Sequence, residues 1–122
     1  VTDTSASSIS DQNYQTEVNN TTEHQIGIMK YGSSSSDFAG YVAEFILIDG
    51  TAQAPTDLGE SKNGVWIPKD PSGLTFGTNG FHLDFANASA LGNDVSGNNN
   101  DYATTNLGTD HQSTDSPTFT AD

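Results

Sequence analysis

The sequence predicts an all-β, antiparallel fold with strands spaced as in a two-layer sandwich. Three observations carry that reading. Apolar residues recur with a period of two, turn residues separate the apolar runs, and no stretch sustains a 3.6-residue period beyond one helical turn.

Taken in order, "HQIGI" (24–28) puts Ile26 and Ile28 on one face of a first strand. "YGSSSSDFAG" (31–40) reads as a turn-rich connection. "YVAEFILID" (41–49) is the strongest strand: Tyr41, Ala43, Phe45 and Leu47 alternate against Val42, Glu44, Ile46 and Ile48. Apolar residues on both of its faces point to cover on each side. "APTDLGE" (54–60) offers one helical turn, opening at Pro55 or Thr56. A Lys-Asn-Gly turn leads into "GVWIP" (64–68), which Pro68 stops. "FHLDF" (81–85) alternates, with Phe81, Leu83 and Phe85 inward and His82 and Asp84 outward. "DYATTN" (101–106) is a weaker, Thr-rich strand candidate.

Length allows one domain at most. Hydrophobic residues make up only 32% of the 122, and they cluster between Ile26 and Tyr102. The ends are rich in Ser, Thr, Asp and Asn and do not offset their own ordering entropy. The organisation expected is an extended polar segment over 1–23, a β-region over 24–106 and an extended acidic tail over 107–122.

Sixteen acids face three lysines, with no arginine, for a net charge of -13. No basic patch can be built to neutralise phosphates, which argues against nucleic acid and anionic membrane surfaces. Cysteine is absent, so thiolate metal sites and disulfides are excluded. No apolar run reaches membrane-spanning length, and residues 1–20 carry no basic-then-apolar leader pattern. The charge favours solubility, a saline exterior or cation binding.

With the strands placed, four motifs stand in a fixed order: Gly40-Tyr41-Val42-Ala43-Glu44 with Ile48-Asp49-Gly50, then Val65-Trp66-Ile67-Pro68-Lys69, then Thr78-Asn79-Gly80-Phe81, then Asp94 through Asn100. In that order they resemble the concanavalin A-like lectin/glucanase superfamily, and within it the laminin-G-like jelly-roll domains of tailed-phage structural proteins. The resemblance covers about residues 24–106. It implies an antiparallel jelly-roll-like β-sandwich, partial here because five strands are too few to close two sheets. It also implies a tail, fibre or capsid-surface component of a virion, extracellular, used for assembly or host-surface attachment. The partners so implied are other virion proteins, further copies of this chain, or a host-surface glycan. A secreted bacterial carbohydrate-binding module is the alternative.

Glucanases of the superfamily carry carboxylates two residues apart on one strand. Here the acids of the strong strand are Glu44 and Asp49, five apart, and an odd spacing puts them on opposite faces. They cannot flank one glycosidic bond at the roughly 5 Å that a retaining pair requires. No catalytic residue is therefore assigned. His24, His82 and His111 are too scattered for a zinc site and read as surface histidines. Among the aromatics, the Phe residues read as core, while Trp66, Tyr31 and Tyr102 are candidate sugar-stacking platforms. Weak or no sugar affinity is expected of the chain by itself.

"LGNDVSGNNNDY" (91–102) is the densest polar motif. Calcium takes six to eight hard oxygens, and Asp94, Ser96, Asn98, Asn100 and Asp101 could supply several. The EF-hand pattern is not met, because Gly97 stands fourth instead of sixth and Thr105 stands where the bidentate Glu belongs. The competing reading is a tight loop in which Asn and Asp cap their own backbone and Gly97 takes a positive φ.

Overall fold

The computed structural model describes residue 18, residues 21–31 and residues 33–113. The segments expected to run extended lie mostly outside that range. The chain falls into two compact units, Val1–Gly40 and Tyr41–Asp122.

The described residues are strands and coil with one short helix, and their sheets are antiparallel, so the all-β expectation holds in that coarse sense. Three two-stranded sheets are present among them; a closed sandwich is not.

In the first unit, β1 (Ile28–Tyr31) pairs with β2 (Ser34–Asp37), from Ile28 opposite Asp37 to Tyr31 opposite Ser34. The Phe38 amide extends the ladder to the Gly27 carbonyl at 2.8 Å. This corrects two expectations. The strand begins at Ile28, where 24–28 was expected, and the serine run read as a turn is its partner. Polar side chains suit β2, because all four of its residues are exposed.

In the second unit, β3 (Phe45–Leu47) pairs with β6 (Phe81–Leu83), Ile46 lying opposite His82. Only three residues of the expected 41–49 strand are in the ladder. Glu44 stops it on one side by taking φ 53°, a region that non-glycine residues seldom enter. Between these strands the chain makes the expected helical turn, α1 (Pro55–Leu58), and then a hairpin of β4 (Gly59–Lys62) with β5 (Val65–Pro68). Asn63 (φ 53°) and Gly64 (φ 80°) connect them, both left-handed as a two-residue type I′ turn demands. β4 was missed because Gly-Glu-Ser-Lys has no β-branched or aromatic residue.

The core sits on and behind β6. Phe76, Phe81, Leu83 and Leu91 are buried, Leu83 to 2% exposure. Phe81 stacks on Phe45 across the sheet (5.9 Å between ring centroids) and tilts against Tyr102 (5.0 Å). The alternation expected for 81–85 fails at His82, which is buried with its neighbours because Phe76 stacks on the imidazole and Glu44 binds its edge. Phe85 takes φ 55°, outside the strand, and is half-buried.

The expected strand over 101–106 is coil. Asp101 and Tyr102 are engaged elsewhere, the Tyr102 amide donating to the Gly92 carbonyl at 2.8 Å. In the described start of the C-terminal tail, Thr109–His111 form a single 3-10 turn. The Gln112 side-chain Nε2 there donates to the Phe85 and Ala86 carbonyls at 2.8 and 2.9 Å. No helix among the described residues is long and apolar enough to cross a membrane.

Candidate functional site

The 91–102 loop is organised around one carboxylate. Asp94 is buried and bridges to Leu83, which seats it against β6. Its Oδ1 accepts from the His82 amide (2.8 Å) and the Ser96 amide (2.9 Å). Its Oδ2 accepts from the Ser96 hydroxyl and the Asn100 amide, both at 2.9 Å. A carboxylate offers about four lone-pair positions, and four protein donors occupy them. Burial pushes the Asp94 carboxyl upward, but the hydrogen bonds from His82, Ser96 and Asn100 outweigh it and hold the group below the usual carboxylate range.

The rest of the motif ties this centre to the Thr-Asn-Gly turn. Asp101 Oδ1 accepts from the Asp94 amide at 2.8 Å. The Asn98 side-chain amide donates to the carbonyls of Gly77 (2.6 Å) and Gly80 (2.9 Å). That of Asn100 donates to the carbonyls of Thr78 (3.2 Å) and Gly80 (2.9 Å). From the other side, Asp49 Oδ2 accepts from the Asn79 backbone and side-chain amides at 3.2 and 2.9 Å. Gly80 is forced by this crowding, since a Cβ there would overlap the Phe76 carbonyl. Gly97 takes φ 93°, as the tight-loop reading requires.

All five candidate calcium ligands lie in this loop; both Asp94 oxygens and Asp101 Oδ1 accept protein hydrogen bonds, and the Asn98 and Asn100 side chains donate to backbone carbonyls. Among the described residues, no group of three or more His, Asp or Glu side chains is arranged to hold a metal ion.

Of the candidate sugar platforms, Trp66 is 57% exposed on the β4–β5 hairpin. Tyr102 is half-buried against Phe81, and burial raises its hydroxyl above the usual phenol range. Tyr31 lies in β1, with its side chain outside the described part of the molecule. Within the second unit, no ring contact among the described residues joins Trp66 to Tyr102.

Sequence reasoning missed the Glu44–His82 pair, whose Oε2 and Nε2 lie 2.6 Å apart. His82 was expected to face solvent, and no partner was assigned to Glu44. The signal available was an acid in an otherwise apolar strand, but its partner lies 38 residues away. Glu44 with His82 and Asp49 with Asn79 are separate contacts, but neither acid lies in β3, so the alternation argument from their odd spacing does not apply.

Comparison with known protein families, curated proteins and solved structures finds no match to this chain.

Proposed function

We propose that this chain is a structural component of a virion, a tail, fibre or capsid-surface protein. Its partial jelly-roll-like β-sandwich is completed by neighbouring proteins and serves assembly or host-surface attachment. The observation that carries this reading is the exposure of its most apolar run, 41–49. Tyr41 is 91% exposed, and Val42 and Phe45 are exposed beside it, although the sequence there is patterned for cover on both faces. Two-stranded sheets with free edges are marginal alone and invite further strands. The ordered motifs from Gly40 to Asn100 supply the kind of assembly. The net charge of -13 supports an exterior position and opposes nucleic-acid contact.

A secreted bacterial carbohydrate-binding module is the second reading, favoured by the exposed indole of Trp66. No catalytic role is proposed, because Glu44 and Asp49 are each engaged by another side chain. Antibody raised against this chain should decorate particles in negative-stain images. Absence of label on every virion fraction that contains the polypeptide would remove the first reading and leave the second.

A further inference from the structure

We propose that the chain associates head to tail, the β4–β5 hairpin of one copy docking on the open edge of β3 in the next. The contact rests on the assembly reading above and makes a second copy of this chain the neighbour that covers 41–49.

The acceptor is a sheet edge with acids around it. In β6, His82 turns its amide to the Asp94 carboxylate and its carbonyl to the Val95 amide. In an antiparallel ladder, a residue whose backbone groups turn away from its partner leaves that partner's groups facing the opposite edge. The amide and carbonyl of Ile46, opposite His82, therefore face the side of β3 on which no described strand pairs. Tyr41, Val42 and Phe45 are exposed along the same run. Glu44 and Asp49 bracket β3 in the chain and Asp84 follows β6, and no lysine pairs with any of them among the described residues.

The donor is the hairpin. Residues 61–69 carry Lys62 and Lys69, two of the three lysines, and no acid. Glu60, the one acid of β4 and β5, lies opposite Ile67. Val65 lies opposite Lys62, so an apolar and a cationic side chain share one face, and both are exposed. Lys62 makes no ion pair among the described residues, which leaves its charge to meet an acid of the next copy. Within one copy the two surfaces do not cover each other, since Val65 is 61% exposed while Tyr41 stands almost wholly in solvent. The contact is therefore between copies. Donor and acceptor differ, so the association is heterologous and repeats into a ring or a filament. The net charge of -13 opposes approach, but at about 0.15 M salt that repulsion is screened beyond about 8 Å.

Sedimentation of the full chain at about 0.15 M salt should show monomers at about 1 μM and larger species at about 1 mM, the range of a weak contact. Lowering the salt to about 0.01 M, where the Debye length grows to about 30 Å, should shift the chain toward monomers. Val42→Asp on the acceptor and Val65→Asp on the donor should each abolish association with the circular dichroism unchanged, because both side chains are exposed. Mixed in equal amounts, the two variants should recover dimers and nothing larger, since the hairpin of the first still fits the run of the second. Lys62→Glu should weaken association at least fivefold. The proposal is overturned if the wild type stays monomeric at about 1 mM, if the mixture recovers nothing, or if Lys62→Glu associates as wild type. A chain that is monomeric alone but binds the particle fraction has another virion protein on β3, which also overturns it. Particle labelling tests the virion reading separately: a chain that associates yet labels no particle loses that reading and keeps this contact.

Discussion

Two stretches of the second unit invert the usual relation between polarity and burial. The most apolar run, 41–49, begins with a tyrosine almost wholly in solvent and contributes three residues to a sheet. The most polar run, 91–102, holds Leu91, Gly92 and Asp94 in the interior. The first has side chains suited to a core, yet Tyr41, Val42 and Phe45 stay exposed and none of its residues is fully buried. In the second, each buried polar group meets a partner, and no buried side-chain nitrogen or oxygen among the described residues lacks one. Satisfied hydrogen bonds, more than apolar area, fix this loop, while the apolar run leaves part of its surface in solvent.

That contrast can be broken most severely at β6, where both kinds of support converge. Leu83→Ala should destabilise the fold by about 3 kcal/mol, the usual loss for a leucine emptied from a packed site. Val42→Ala, on the exposed stretch, should change stability by less than about 0.5 kcal/mol in the free chain. Urea unfolding of both variants checks the pair. Equal losses would mean that 41–49 is already covered and the inversion is false.

Next in size is the carboxylate. Asp94→Asn puts an amide N–H2 against donors that a carboxylate accepted, and should remove about 2–3 kcal/mol, the range for a buried group left unsatisfied. The pH dependence has a definite sign. The folded-state pKa of Asp94 is lowered, so between it and the unfolded value near 3.9 the unfolded chain binds more protons. Its stabilisation is fully present above the unfolded pKa and is lost as pH falls through the folded one. Acid titrations of unfolding should show this loss in the wild type and not in Asp94→Asn.

How much of this was legible in the sequence follows from which signals are local. The Asn63-Gly64 turn and the single helical turn at Pro55 were readable because turn chemistry acts over a few residues, and the apolar run at 81–85 marked β6 although its alternation did not hold. So was the loop character of 91–102, with its Asx-type bonds from Ser96 to Asp94. The extent of β3 was not, since a positive φ at Glu44 has no signature in sequence. Nor was the burial of His82, which depends on Phe76 and Glu44 arriving from elsewhere in the chain. β2 was hidden by its serines, which a solvent-facing strand tolerates and a pattern search discounts.

A smaller effect tests whether 41–49 is stable without neighbours. In a verified monomer of the full chain, amide hydrogen exchange across Phe45–Leu47 should be fast, because β3 has one partner strand and few buried side chains above it. Addition of the particle fraction should slow it. Slow exchange in the monomer would remove the need for a completing neighbour and, with it, the main support for the assembly role.

The smallest expected effect concerns calcium. Binding at 91–102 requires free oxygens, and the two of Asp94 already accept four hydrogen bonds, while Asp101 Oδ1 holds the Asp94 amide. Asn98 and Asn100 use their side chains as donors to carbonyls of the neighbouring turn. A cation seated on Asp94 would have to displace these donors and leave buried amides without their acceptor, which offsets the gain from coordination. Adding millimolar calcium, against a chelator control, should therefore move the melting temperature by less than about 1 °C, under the roughly 4 °C that one kcal/mol shifts a domain of intermediate size. A rise of several degrees in the wild type that disappears in both Asp94→Asn and Asp101→Asn would show that the loop opens to receive the ion, and the polar run would then be a metal site held shut by its own backbone.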